Sequence, residues 1–497
     1  MEKHDAKPPV ILWFRSDLRL HDHAGVAAAL ASGQPVLPVY IWDENTATRP
    51  LGAASKWWLH RSLAALGSDL RGRGSRLIIE RGNAQIILAG LAQEFKARTI
   101  ICSHTFDPET EVHDRHLSEA LADIGAELHR HNTTLLTLPN SLTTQAGQPF
   151  RVFTPFYKAL QASGICDVRL NSAPVTGEWS TPDRWPQGLA LEALGLEPKP
   201  TPSGKDWAAG FDGFKPGEAG ARGRLRSFLK NHLKTYAEDR DRPDLDLTSH
   251  LSPHLRFGEI SPQRILFETA KAVEADQELT VGADKFRAEL AWREFSYGLL
   301  AQQPRLDRVN FKRDFDSFEW RDDDAGFGAW CRGETGYPMV DAGMRELWQT
   351  GYMHNRVRMV AASFLVKHLL IDWRRGEQWF WDCLLDADPA NNPASWQWVA
   401  GCGADAAPYF RIFNPITQAE KFDPKGQYRA RYIPGYAQDD MRLAHMKKSR
   451  DPAEKVDKSH HIPDYTQPIV DHALARERAL ATYKRRSDDM YRHGDEE

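Results

Sequence analysis

Short apolar runs alternate with amphipathic helical patterns over the first 135 residues of the chain. The apolar runs lie at 10–14, 36–42, 76–80, 99–103 and 126–131. The helical patterns between them lie at 53–70, 84–95 and 109–124. Parallel strands need a crossover connection, usually a helix, so this alternation predicts a doubly wound parallel sheet in an α/β, Rossmann-like domain at 8–135. No GxGxxG follows the first apolar run, so nothing supports a dinucleotide-binding version of that fold.

The pattern changes completely in the second half of the chain. Residues 164–220 are rich in Pro, Gly, Asp and Ser, which predicts a long connector, and we assign 136–220 to an interdomain linker. After Gly220 the apolar positions follow helical spacing almost throughout, which predicts an all-α domain at 221–480. The predicted helices lie at 221–236, 262–275, 283–302, 339–350, 354–373 and 377–385.

Composition excludes several classes of protein. Lys and Arg number 64 against 68 Asp and Glu, so a nucleic-acid partner needs a local basic patch, and residues 222–242 provide one with seven basic and three acidic side chains. No apolar run reaches the ~20 residues of a membrane span, and the N-terminus lacks the apolar region of a secretory signal. The five cysteines are far apart without a CxxC pair, which argues against a disulfide framework or a metal site. We expect a cytoplasmic monomer without a membrane partner.

Candidate chemistry is concentrated in the helical half. Nine of the 16 tryptophans lie between Trp292 and Trp398, and residues 386–398 contain two Asp, two Asn and two Trp. Carboxylates and amides beside aromatic rings suit a pocket for a planar heterocycle with polar edges. Helical spacing also places Glu289 beside Trp292, although a surface glutamate next to a core tryptophan explains that pair equally well.

Several long motifs resemble the photolyase/cryptochrome family, and they are most similar to microbial cyclobutane pyrimidine dimer photolyases. The motifs are residues 13–19, 57–60, 248–252, 292–295, 335–342 and 410–415, in the family's order and over nearly the whole chain. The resemblance implies an N-terminal antenna domain, a linker and a C-terminal helical domain that binds FAD. Its partner would be UV-damaged DNA, and its reaction the light-driven splitting of cyclobutane pyrimidine dimers by an electron from reduced FAD (FADH⁻).

The resemblance also implies a role for individual residues. Those that would hold the diphosphate and ribityl side of FAD are Tyr236, Thr248, Ser249, His250, Leu251 and Ser252. Those around the isoalloxazine ring would be Asn355, Arg358, Asp386, Asp388 and Asn392, with Arg358 paired to Asp386. Asn392 would face flavin N5, where repair-type members carry Asn, plant-type cryptochromes Asp and animal ones Cys. A neutral amide there favours the anionic reduced flavin that repair requires.

A flipped-out dimer would lie in a pocket beside the flavin. Matched positions place Trp292 and Trp398 as its aromatic walls, Met359 against the dimer, and Arg240, Arg356 and Asn355 near DNA. Glu289 would donate a hydrogen bond to the thymine carbonyls, for which its carboxyl must be protonated, so we expect a raised pKa in a dry pocket. Trp396, Trp373 and Trp330 match an electron-transfer relay, with Trp396 nearest the flavin and Trp330 at the surface.

The antenna chromophore is less constrained. Methenyltetrahydrofolate is favoured over deazaflavin because residues 52–58 match a folate-binding subgroup. However, 106–110 and 307–308 depart from the folate contacts of another subgroup, so a deazaflavin or an empty site stays open. Two other functions remain as alternatives: a cryptochrome-type blue-light receptor, and a generic flavoprotein oxidoreductase, which the absence of a nicotinamide fingerprint disfavours.

Overall fold

Five parallel strands form the sheet of the N-terminal domain in a computed structural model of the chain. The structure describes residues 7–44, 49–165, 179–199, 204, 206–406, 410–436 and 467–493. The strands are β1 (Val10–Phe14), β2 (Val36–Trp42), β3 (Ile78–Arg81), β4 (Thr99–Ser103) and β5 (Glu127–His131). Their order is β3-β2-β1-β4-β5 and each neighbouring pair is parallel, which confirms the predicted doubly wound sheet.

Helices cover both faces of this sheet. They are α1 (Ala24–Ala31), α2 (Ala53–Arg71), α3 (Ala84–Phe95) and α4 (Pro108–Ala122), of which the short α1 was not predicted. Alternate side chains of β1 enter two separate cores: Val10 and Leu12 pack on one face, and Ile11 and Trp13 on the other. Because both faces are buried, β1 is apolar along its whole length instead of alternating in polarity.

The connector contains α5 (Phe153–Ala162) and two 3-10 turns, Leu191–Leu194 and Trp207–Gly213. Parts of the predicted connector, at 166–178, 200–203 and 205, lie outside the described residues.

The second domain is helical, as predicted. Its helices are α6 (Glu218–Asn231), α7 (Tyr236–Asp239), α8 (Ser252–Arg256), α9 (Pro262–Ala275), α10 (Thr280–Gln302), α11 (Asp324–Arg332), α12 (Pro338–Thr350), α13 (Asn355–Ser363), α14 (Trp373–Cys383), α15 (Asn391–Ala400), α16 (Pro415–Phe422), α17 (Gln427–Tyr432) and α18 (His472–His493).

The single helix predicted at 354–373 is wrong. Helix α13 passes into a π-helical turn at Phe364–His368, and Leu370 then adopts a left-handed conformation with φ of 55°. Asp372 caps the next helix by accepting a hydrogen bond from the Arg374 N–H at 2.9 Å. The residues on both sides of this break are buried, so the apolar periodicity continues across it. Periodicity alone therefore cannot reveal where the helix ends.

Buried polar contacts join the two domains. Glu259, which is fully buried, accepts hydrogen bonds from the Trp58 indole at 3.0 Å and the Gly217 N–H at 2.7 Å. From the α/β domain, the buried Arg19 guanidinium donates to the Gly258 carbonyl at 2.8 Å. Such networks fix the relative position of the elements that carry them, because breaking one leaves a buried polar group without a partner. Within the described residues, no helix is long and apolar enough to span a membrane.

Candidate functional site

An ion pair between a half-buried guanidinium and a buried carboxylate connects α13 to the segment before α15. Arg358 donates through Nη1 and Nη2 to Oδ1 and Oδ2 of Asp386 at 3.1 and 2.9 Å, and its Nε donates to the Met353 carbonyl at 2.7 Å. Burial alone would lower the pKa of Arg358, but the Asp386 carboxylate raises it above its ordinary value. The pair predicted between these residues therefore exists, and its fork geometry fixes both side chains.

Asp388, which was assigned to the ring of the flavin, makes hydrogen bonds within the chain. Its Oδ2 accepts a hydrogen bond from the Tyr297 hydroxyl at 2.9 Å, and Oδ1 accepts from the N–H groups of Ala390 and Asn391 at 2.9 and 2.8 Å. The carboxylate thus fastens the start of α15 to α10 and orients the helix that carries Asn392.

Asn392 lies in the first turn of α15 and faces a second carboxylate. Its Nδ2 donates to Oε1 of Glu377 at 2.7 Å and to the Glu377 carbonyl at 3.1 Å. Glu377 is buried on α14 and forms a bidentate pair with Arg49 of the α/β domain. Sequence reasoning missed Glu377 and Arg49, because the two are 328 positions apart.

Hydroxyl groups predicted to hold a diphosphate approach the same region. Thr248 and Ser249 are half-buried in the segment before α8, and Tyr236 is buried. Tyr352, which was not predicted, lies 4.6 Å from the His250 ring, and the Arg358 guanidinium lies 5.3 Å from the Tyr352 ring. Tyr352 therefore bridges the hydroxyl-bearing segment and the ion pair.

The residues matched to the lesion pocket meet where α7, α10 and α13 converge. Arg240 and Lys285 both pair with the Glu289 carboxylate, the latter at 3.3 Å, and Arg356 pairs with Asp241 at 2.6 Å. The Glu289 side chain is 26% exposed. In this DNA-free arrangement Glu289 therefore lies at a partly exposed site beside two cations, and its predicted contact with the lesion stays a prediction.

The two predicted aromatic walls are connected through Phe153 and Asp405. Phe153 stacks on Trp292 with ring centroids 3.7 Å apart and an interplanar angle of 5°. The Phe153 N–H donates to the Asp405 carboxylate at 3.3 Å, and the Trp398 indole donates to the Asp405 carbonyl at 3.0 Å. Asn355 is exposed and Met359 half-buried on α13.

The tryptophans assigned to a relay are all buried, and one differs from its predicted place. Trp330 is fully buried rather than at the surface, and it contacts Trp396 edge to face at 6.1 Å. Trp373 is also fully buried, and its indole donates to Asn310 at 3.0 Å. Trp320 is half-buried and precedes Arg321, whose N–H donates to the Leu370 carbonyl near Trp373 at 2.7 Å. Trp320 is therefore the better candidate for an exposed terminus.

A cavity of about 210 Å³ opens at the carboxyl ends of the strands in the α/β domain. It lies where the strand order reverses, the usual ligand position in open α/β sheets. Aromatic and cationic side chains from both domains line it, among them Trp13, Arg15, Tyr40, Trp42 and Arg256. The indole N–H group of Trp13 is buried and has no hydrogen-bond partner among the described residues.

The folate motif at 52–58 does not line this cavity. Trp57 and Trp58 are buried, where they pack against Phe211 and the His254 ring. Thr110, from the divergent segment, does line the cavity.

The helical site fits a flavin nucleotide. It combines the hydroxyl groups of Thr248 and Ser249, the fixed guanidinium of Arg358 and the amide of Asn392. In addition, the Nδ1 atom of His250 is buried without a partner among the described residues. A doubly wound domain with a ligand cavity, joined to a helical domain with such a polar site, defines a two-domain flavoprotein.

Comparison with known proteins gives the family. A family model described as DNA photolyase matches residues 10–175, and one described as the FAD binding domain of DNA photolyase matches 286–485. The deoxyribodipyrimidine photo-lyase of Agrobacterium fabrum is 47% identical over 480 residues, which cover 96% of this chain and 97% of the relative. The chain belongs to the DNA photolyase family, and its helical domain is an FAD-binding domain.

Solved structures agree with this assignment. A bacterial class III photolyase from Agrobacterium tumefaciens has a TM-score of 0.86 at 45% identity, covering 97% of this chain and 98% of that one. An archaeal photolyase from Sulfolobus tokodaii, solved with two FAD molecules, has a TM-score of 0.76 at 30% identity, covering 96% and 100%.

Proposed function

We propose that this protein is a light-dependent DNA-repair enzyme that splits cyclobutane pyrimidine dimers. The observation that carries the proposal is the arrangement of α13. This helix directs Arg358 to Asp386 at the flavin site. It also directs Arg356 to Asp241, next to the group formed by Glu289, Arg240 and Lys285. One rigid helix thus contributes to both a cofactor site and a basic, aromatic mouth where DNA can bind.

Each group of residues has a distinct task. Tyr236 and residues 248–252 hold the phosphate and ribityl side of FAD, while Arg358, Asp386 and Asn392 border its ring. When bound, reduced FAD supplies a light-activated electron to the lesion and recovers it after the ring bonds break. Trp292 and Trp398 stack on the extruded bases and exclude water from them.

Glu289 contacts the lesion only after its cations move. In the DNA-free arrangement Arg240 and Lys285 neutralise its carboxylate. DNA phosphates compete for both cations, and the dimer removes water from Glu289, so both changes favour protonation and hydrogen-bond donation to a thymine carbonyl.

The substrate is the cyclobutane dimer and not the (6-4) photoproduct. The relatives that repair (6-4) lesions resemble this chain but carry histidines where Asn355 and Met359 stand, because that chemistry needs proton transfer near neutral pH. His354 cannot substitute for them, because it is buried and its ring caps α13 by accepting a hydrogen bond from the Arg356 N–H at 3.2 Å. Burial also lowers the pKa of His354 to about 4.

The deciding experiment uses two oligonucleotides, each with one defined lesion. The flavin is first reduced chemically, and both substrates are then illuminated with blue light, with a dark sample as control. We expect light-dependent restoration of the cyclobutane substrate alone. Failure to restore it would refute the proposed function, and efficient restoration of the (6-4) substrate would refute the lesion assignment. The cryptochrome alternative is not favoured, and a flavin that responds to light without any repair would support it.

We further propose that the sheet cavity holds an antenna chromophore, with methenyltetrahydrofolate favoured over deazaflavin. The unpartnered indole N–H of Trp13 suits a planar heterocycle with an acceptor atom, and Arg256 suits an anionic one, whereas Arg15 is already paired with Asp114. The Sulfolobus relative raises a second FAD as a further possibility. Mass spectrometry of the chromophores released from purified protein distinguishes all three, and FAD at one equivalent with no other chromophore would refute the antenna proposal.

A further inference from the structure

A cation from the α/β domain reaches into the flavin-binding domain. Arg49 lies in the loop between β2 and α2, and its Nη1 and Nη2 donate to Oε1 and Oε2 of Glu377 at 2.6 and 2.7 Å. The side chain of Glu377 is only 2% exposed. The Arg49 guanidinium also lies 4.0 Å from the centroid of the Trp381 ring. Two parallel hydrogen bonds and a stacked ring give Arg49 one defined position.

The loop that carries Arg49 is clamped to α14. Gly52 approaches so closely that a Cβ there would lie 2.1 Å from the Trp381 carbonyl oxygen. The Trp381 indole donates to the Pro50 carbonyl at 2.8 Å, and the Ala53 N–H donates to Asp382 at 2.9 Å. The Arg49 guanidinium is therefore held against α14 by backbone as well as by side-chain contacts.

Glu377 in turn dictates which end of the Asn392 amide faces it. The two Glu377 atoms that Asn392 contacts, a carboxylate oxygen and the backbone carbonyl oxygen, can only accept hydrogen bonds. Only the NH₂ group of Asn392 can therefore face Glu377, and the amide oxygen must point the other way. That oxygen accepts no hydrogen bond from the part of the chain that the structure describes.

We propose that Arg49 is a positioning residue that fixes the direction of the Asn392 amide by keeping Glu377 an acceptor-only carboxylate. The inference rests on the proposed function, which places Asn392 beside the flavin ring. It makes the orientation of a flavin-facing group depend on a loop of the α/β domain.

The charges around Glu377 explain why Arg49 is needed. Burial raises the pKa of Glu377 above its ordinary value, the Asp307 carboxylate adds to the rise, and Arg49 opposes both. Loss of Arg49 removes this opposition and raises the pKa of Glu377 further, which favours the protonated carboxyl, a hydrogen-bond donor. A donor at Glu377 attracts the amide oxygen of Asn392, which leaves the longer hydrogen bond to the Glu377 backbone carbonyl as the contact that opposes turning. A turned amide presents its NH₂ group to the flavin.

The direction of the amide affects the flavin because N5 carries a proton only in the reduced ring. An amide oxygen accepts from that proton and favours reduced flavin, whereas an NH₂ group donates to unprotonated N5 and favours oxidised flavin. Exchanging one of these hydrogen bonds for the other changes the equilibrium ratio of reduced to oxidised flavin by about tenfold. For a two-electron couple, this corresponds to a shift of ~30 mV in the midpoint potential. Turning the amide therefore lowers the midpoint potential.

The experiment measures the midpoint potential of bound flavin in the full-length protein and its variants. We expect Arg49→Met and Glu377→Gln to lower it by ~30 mV, because Gln is neutral and carries a donor. Arg49→Lys keeps the charge and should resemble the wild type. Arg61→Met is the matched control, since Arg61 also lies 4.0 Å over a tryptophan ring, that of Trp57, but pairs with an exposed carboxylate.

Unchanged potentials in flavin-loaded Arg49→Met and Glu377→Gln would overturn the role of Arg49, and so would an equal shift in Arg61→Met. If Arg49→Met does not fold, the nearly isosteric Glu377→Gln decides alone. A wild-type protein that binds flavin normally but repairs no dimer refutes the proposed function without affecting these potentials, so the two failures are distinguishable.

Discussion

Removal of Arg358 leaves a buried carboxylate without its cation. Asp386 is 8% exposed and accepts both of its charged hydrogen bonds at 3.1 and 2.9 Å from Arg358. Breaking a buried pair by deleting one partner costs about 3–5 kcal/mol, because the remaining charge stays desolvated. The free energy of unfolding of Arg358→Met should fall by that amount. At ~2–4 °C per kcal/mol for a domain of this size, the melting temperature should fall by about 6–20 °C.

The assay is urea unfolding of the flavin-free protein, followed by tryptophan fluorescence. The double variant Arg358→Met/Asp386→Leu should recover most of the lost stability, because an apolar pair carries no desolvation penalty. Arg332→Met is the control: Arg332 pairs with Glu334 at 2.7 Å, both side chains are largely exposed, and its loss should cost less than about 1 kcal/mol. A double variant as unstable as Arg358→Met would refute the reasoning, since the cost would then come from packing and not from charge.

Four further outcomes test other parts of the structure. Trp320→Phe should slow photoreduction of oxidised flavin while sparing repair by prereduced enzyme, because Trp320 is half-buried and is the candidate exposed terminus of the tryptophan relay. Normal photoreduction would contradict this assignment. Glu289→Gln should leave dimer binding nearly unchanged and lower the quantum yield of repair, and an unchanged yield would remove Glu289 from the mechanism. Gly376→Ala should destabilise the helical domain by about 1–3 kcal/mol in thermal unfolding, because its Cβ would lie 2.2 Å from the Trp396 ring; an unaffected variant would refute the close packing. Burial raises the pKa of Glu346 to about 7, so the folded state holds a proton that the unfolded state loses at lower pH. Wild-type stability relative to Glu346→Gln should therefore decrease as pH rises from the ordinary carboxyl value towards 7, and a flat difference would exclude that proton.

The sequence alone determined the architecture, because its signals are local. Apolar runs such as 10–14 and 36–42 followed by helical patterns predict parallel strands with crossovers, and the sheet is built that way. Resemblance identified the Arg358–Asp386 pair, because family motifs preserve residue types at aligned positions. The break in the helix predicted at 354–373 was not predicted, because the residues on both sides of it are buried and the apolar pattern continues across it.

Only the tertiary structure decided how the site is held and charged. Trp330 is buried although the resemblance placed it at the surface, and Glu289 pairs with Arg240 from outside its own helix as well as with Lys285 one turn away. The pairing of Arg49 with Glu377 spans 328 positions, and neither residue lies in a recognisable motif. A charge pair of this kind depends on two domains folding against each other, so no local pattern records it. The sequence specifies which chemical groups are available, and the folded chain alone sets which of them meet, how dry the contact is and which way an amide points.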